Sequence, residues 1–92
     1  MKKKWFYLIK ARIKPEEYRE ITPYWRQRLM WKDNRGIWRF KDFDEIEFAL
    51  GYPKSSDKSK RFRRKLKSIK FGTGKEEWGA VPNRIYFVLK LE

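Results

Sequence analysis

The chain has 92 residues, 18% of them aromatic, and its 25 Lys and Arg against 12 Asp and Glu give a formal net charge of +13. That length makes a single domain, residues 1–92, with a modest core that large aromatic rings help to fill. The absence of Cys and His excludes disulfides, thiolate or imidazole metal sites and Ser-His-Asp or Cys-His catalysis, leaving Lys, carboxylates, Tyr and Ser/Thr to carry any chemistry.

Residues 5–9, WFYLI, form an unbroken apolar and aromatic run between lysines. Both faces are apolar, which predicts a central strand. The run falls short of the ~20 residues that span a bilayer and of the ~7–15 residues of a signal-peptide core. A cytoplasmic protein with no membrane partner is therefore expected. Pro15 biases Lys14 away from the helical region, and residues 17–21 suit a short strand or an extended loop. Thr22-Pro23 is a helix start, with a capping hydroxyl followed by proline at the first helical position. Trp25 and Leu29 then share an apolar side while Arg26 and Arg28 lie away from it, predicting a helix over 23–31.

Asn34, Arg35 and Gly36 mark a turn, after which Trp38 and Phe40 alternate with Ile37 and Arg39. Ile46, Phe48 and Leu50 alternate with Glu45, Glu47 and Ala49, the pattern of a half-buried strand. Gly51, Tyr52 and Pro53 end it, and residues 54–60 read as a Ser/Lys/Asp loop. Phe62 and Leu66 have one strand parity, Ile69 and Phe71 the other. A bent strand over 61–71 with a bulge between the pairs is favoured, although the spacing also suits a helix. Gly72, Thr73 and Gly74 form a turn. Ile85, Phe87, Leu89 and Leu91 alternate with Tyr86, Val88 and Lys90 as a closing strand. The expected fold is α+β, with a small, strongly bent sheet or barrel.

Lys14, Glu17 and Arg19 stand in K-x-x-E-x-R spacing, followed closely by Tyr24, Arg26 and Arg28. In one reading Lys14 and Arg19 bind phosphate or a carbonyl in a cleft while Glu17 accepts hydrogen bonds from a base edge. Arg supplies a fixed fork of donors and Lys a mobile charge. In the other, the three residues are an ion network tying the segment to the sheet. Residues 54–70 hold Lys54, Lys58, Lys60, Arg61, Arg63, Arg64, Lys65, Lys67 and Lys70 against Asp57 alone. On a strand, Arg61, Arg63, Lys65 and Lys67 share one face, a row suited to a phosphate backbone; the plain alternative is a solvated basic face. Trp31 and Trp38, near a polar turn, are the rings expected to be exposed and able to stack on unpaired bases, while Trp25 and Trp78 are expected to pack. Asp42, Asp44, Glu45 and Glu47 read better as a polar strand face, or as partners for excess cations, than as a Mg²⁺ site. No metal and no cofactor is implied. So large a positive excess points to a polyanion partner, most often nucleic acid; the barrel-like fold, the cationic row and the aromatics put RNA ahead of double-stranded DNA.

The segment RIKPEEYREITPYWRQRL resembles the signature of ASCH domains, small proteins with a PUA-like β-barrel and the motif G-x-K-x-x-E-x-R. Lys14, Glu17 and Arg19 fill its last three fixed positions, and Arg12 stands in place of the glycine. EYREITPYW, FDEIEFALGYPK, GTGKEEWGA and the final IYFVLKLE are similar to pieces of family versions common in phage and bacterial genomes. The resemblance implies a small PUA-like mixed β-barrel of about five strands with one or two short helices, and a cleft at the motif. The family places a helix between the first strand and the motif. With residues 5–9 read as a strand, that helix is missing and the cleft is left more open.

The resemblance also implies alternatives. Some family members are amidohydrolases on acylated pyrimidine nucleosides, or ribonucleases. Lys14 carries over from the hydrolases, but Glu17 stands where they place a threonine, and Glu76 or Glu77 would have to supply their distant carboxylate. A further alternative is a phage-encoded factor that binds and inhibits a host nucleic-acid or defence protein.

Overall fold

The computed structural model describes residues 2–51 and 58–92. Its first element is a helix, α1 (Lys3–Lys10), where the sequence predicts a strand. Phe6 and Ile9, one turn apart, are buried, whereas Tyr7 between them is exposed. A five-residue apolar run fits either period, and here packing against the sheet decides. Nothing local favours the helix start: there is no side-chain cap and no acidic residue in the first turn.

The end of α1 is built with care. The N–H of Arg12 donates to the Ile9 carbonyl at 3.0 Å and that of Ile13 to Leu8 at 2.9 Å, the Schellman pattern that satisfies the last carbonyls. This arrangement puts Arg12 at φ 62, a left-handed position usually filled by glycine. A helix therefore does precede the K-x-x-E-x-R motif, and the expectation that the chain runs from a strand straight into the motif is overturned.

The chain continues through β1 (Glu16–Glu20), α2 (Pro23–Leu29), β2 (Met30–Lys32), β3 (Trp38–Phe40), β4 (Glu45–Ala49), β5 (Arg61–Thr73) and β6 (Ile85–Leu91). Thr22 caps α2 by accepting the Trp25 N–H at 3.3 Å, with Pro23 behind it. The helix stops two residues before the predicted end, because Met30 and Trp31 pair with Phe40 and Arg39 in the β2–β3 hairpin. β1, β6, β5 and β4 form a four-stranded antiparallel sheet in that order. The predicted bulge in β5 is present, as a register shift between Leu66 and Ser68. Of the predicted loop over 54–60, residues 54–57 lie outside the described residues, and Lys58–Lys60 forms a 3-10 turn.

Among the described residues the fold is thus a small α+β protein, with two helices, a four-stranded antiparallel sheet and a hairpin. No closed or mixed barrel forms among the described residues: each pairing is antiparallel, and β1 and β4 do not pair with each other. Helices and hairpin cover the inner face instead. Phe6 and Ile9 of α1 join Phe48 and Leu91, while Leu29 and Met30 join Phe87 and Leu89. Ile46 and Leu66 touch both clusters, so the core is continuous. On the other face of β1 and β6, Tyr18 and Tyr86 receive backbone N–H groups from Lys75 and Val81 at 3.0 Å each. No helix is long and apolar enough to cross a membrane among the described residues.

The left-handed Arg12 yields a direct test of this reading. Arg12→Gly relieves about 1–2 kcal/mol of backbone strain and adds about 0.5–1 kcal/mol of unfolded-state entropy. The expected result is a stability gain of about 0.5–1 kcal/mol, read as a higher urea midpoint; an unchanged or lower midpoint contradicts the left-handed turn.

Candidate functional site

Glu17 and Arg19, two residues apart on β1, lie on one face of that edge strand. Lys14 comes from the turn before it, where Pro15 forbids further helix. The Lys14 ammonium is only 1% exposed. Its Nζ donates to Glu17 Oε1 at 2.9 Å and lies 4.7 Å from the Trp5 ring centre and 5.7 Å from that of Tyr18. Glu17 Oε1 also accepts the Tyr18 N–H at 3.1 Å, and Oε2 lies 3.6 Å from Arg19. Arg19 in turn covers the Trp25 ring at 4.7 Å. Removing an ammonium from water costs several kcal/mol, which a close carboxylate and a desolvated ring offset here. The three residues form an ion network, and they also line a pocket.

That pocket has a volume of about 290 Å³. Besides the three motif residues, its lining includes Trp5 of α1, Tyr18 and Tyr86 of the sheet, and Trp78 and Arg84 from the segment between β5 and β6. A hollow of about 440 Å³ beside Phe43 and Leu66 is larger, but carries a single aromatic ring and no Lys–Glu–Arg set. Two glycines make the aromatic walls possible. Gly79 sits at φ 96, and a Cβ there would come within 2.9 Å of the Trp5 ring. A Cβ on Gly74 would meet Ala80 at 2.6 Å and Tyr18 at 2.8 Å. Sequence reasoning placed Trp5 in a strand and Trp78 in a packed turn, and passed over Tyr86 and Arg84. The glycines bracketing KEEW were the available signal for a close approach.

Burial pushes the Tyr18 hydroxyl up to about 12; the Lys75 N–H opposes this, and the Glu16 carboxylate, which accepts the hydroxyl proton at 2.8 Å, adds to it.

The basic strand is less available than its sequence implies. Arg61, Arg63, Lys65 and Lys67 do alternate along one face of β5. Glu47 on β4, however, takes Arg61 at 2.7 Å and Arg63 at 3.3 Å, and Glu45 stands opposite Lys65. The hydrogen bond from Arg61, then that from Arg63, holds the Glu47 carboxyl below the usual range. The reading of Glu45 and Glu47 as partners for excess cations fits this pairing. Lys58 and Lys60 are exposed in the turn before β5, and Lys67 and Lys70 are exposed on β5 itself. Arg64, counted among the cations of residues 54–70, does not stand with that row. It has the parity of Phe62 and Leu66, is 7% exposed, and turns inward. It donates to the carbonyls of Ile9 at 3.3 Å and Lys14 at 3.4 Å, and to that of Glu92. Burial, then the charge of Arg12, lowers its pKa.

A second cationic surface lies on α2 and the hairpin. Tyr24, Trp31 and Trp38 are 55%, 47% and 41% exposed. Arg28 lies over Tyr24 at 4.2 Å and Arg26 over Trp38 at 5.8 Å. Trp25, by contrast, packs partly buried on the core. Asp33 organises the hairpin loop, accepting N–H groups from Arg35 and Ile37 at 2.9 Å each and Arg39 Nε at 2.7 Å. Arg39 above all keeps that carboxyl below its ordinary range.

No protein-family model, curated protein or solved structure matches the chain.

The Tyr18 environment fixes an alkaline limb of stability. Unfolded, its hydroxyl ionises near 10; folded, it keeps its proton to about 12. As pH rises between those values the unfolded state loses a proton that the folded state retains, so stability falls. Tyr18→Phe is expected to flatten that part of the profile relative to wild type in denaturant titrations from pH 9 to about 12; identical slopes contradict the assignment.

Proposed function

We propose that the protein is a nucleic-acid-binding module for RNA, of the ASCH type, with the Lys14–Glu17–Arg19 pocket as its cleft and cationic faces beside it. The observation that carries this reading is the sorting of charge. Lys14 and Arg64 are withdrawn into the fold, while Arg26, Arg28, Lys65, Lys67 and Lys70 face solvent. A polyanion satisfies such a surface, and a phosphate backbone is the commonest one. A helix directly before the motif, with Trp5 as a pocket wall, also supports the ASCH reading. A pocket of about 290 Å³ suits one base or nucleoside rather than a duplex. Glu17 engages Arg19 through a single N···O approach, which leaves other guanidinium donors for a base edge or a phosphate.

The enzymatic alternative gains less support. The Lys14 Nζ is engaged by Glu17 at 2.9 Å, and none of the described residues lining the pocket is Ser or Thr. A nucleophile of the hydrolase kind is therefore not at hand.

The test is affinity for single-stranded RNA as a function of salt. Binding should weaken steeply as salt rises. Lys65→Glu with Lys67→Glu should lower affinity by about tenfold or more and reduce the log–log salt slope by about two. Equal, negligible binding to RNA and DNA at low salt overturns the proposal.

A further inference from the structure

Residues 22–41 contain six cations and one carboxylate, and Arg39 engages that carboxylate, Asp33. Within this surface two exposed rings are each covered by a guanidinium: Tyr24 by Arg28 and Trp38 by Arg26. Leaving two large rings in water forgoes hydrophobic stabilisation that the small core could use. We propose that α2 and the hairpin form a stacking platform for unpaired bases of single-stranded RNA, separate from the pocket. The proposal rests on the RNA-binding reading above and specifies its mode.

The geometry supplies two stations. Tyr24 and Arg28 are one turn apart on one flank of α2. Arg26 lies on the other flank and carries the contact to Trp38 of β3. A helix is about 10–12 Å across, so the stations accept different bases of one strand. Contacts also lead from the pocket to the first station: Arg19 covers Trp25, and Trp25 meets Tyr24 edge-on at 5.0 Å. A strand with one base in the pocket therefore reaches Tyr24 first. Unpaired bases present their faces to rings and guanidinium planes, whereas a duplex hides them and an RNA duplex closes its major groove to side chains. The surrounding arginines neutralise phosphates in either case.

The experiment is fluorescence anisotropy with a single-stranded oligouridine of roughly 12 nucleotides, within the usual site size, and with an RNA duplex of equal length. Variants are Tyr24→Ala, Trp38→Ala, and the conservative Tyr24→Phe and Trp38→Phe; both rings are surface residues, and thermal melts confirm that the variants fold. Each alanine is expected to weaken oligouridine binding about tenfold, the phenylalanines to retain it, and the salt slope to stay unchanged, because a ring carries no charge. Wild-type binding that survives both alanines overturns the platform and leaves the RNA-binding reading standing. The same holds if the duplex binds as tightly as the single strand. Wild type that binds neither RNA nor DNA at low salt removes the RNA-binding reading and the platform with it.

Discussion

A lysine ammonium held out of water is the constraint from which the rest of this small structure follows. Lys14 cannot stay buried alone, because an uncompensated charge in the interior costs several kcal/mol. Glu17 at 2.9 Å and the Trp5 ring at 4.7 Å make the burial possible. Their positions then follow. Glu17 must be on the inner face of β1, and α1 must come close enough for Trp5 to cover the ammonium. Gly79 must stay bare for Trp5 to fit. The pocket is the space left between these groups.

Arg64 closes the same unit from the other side. Its guanidinium bonds the carbonyls of Ile9, Lys14 and Glu92, joining the end of α1, the motif turn and the end of the chain to β5. Two buried cations thus fix the elements around the motif, one through a carboxylate and a ring, one through backbone carbonyls. The outward cations, several of them paired across exposed strands, form the surface on which the RNA-binding proposal rests. Exposed pairs such as Arg63–Glu47 contribute little to stability, so they can exchange a carboxylate for a phosphate at small cost.

Alternation was legible in β4 and the bulged β5, where one face is more buried than the other, and the cap of α2 was legible because Thr22 and Pro23 act locally. β6 was read from the same alternation although both its faces are buried, Tyr86 and Val88 along with Phe87 and Leu89. α1 was hidden because five apolar residues suit either period and its first turn holds lysines instead of a cap. Its helical state comes from Phe6 and Ile9 meeting Phe48 and Leu91, partners remote in sequence. The barrel expectation failed on long-range pairing as well, since no local pattern says whether β1 and β4 close on each other. The burial of Arg64 was hidden because its carbonyl partners, on Ile9, Lys14 and Glu92, are remote in sequence. The motif trio was legible as a group, while Trp5 and Trp78 join it only through tertiary approach.

The buried pair is therefore the claim on which fold and pocket both stand, and the stability of Glu17→Ala in chemical denaturation tests it most directly. Stranding Lys14 in the interior should cost about 3–5 kcal/mol, and replacing both partners by apolar residues, Lys14→Met with Glu17→Leu, should recover most of that loss. A Glu17→Ala protein within about 0.5 kcal/mol of wild type, the behaviour of an exposed ion pair, would contradict the account.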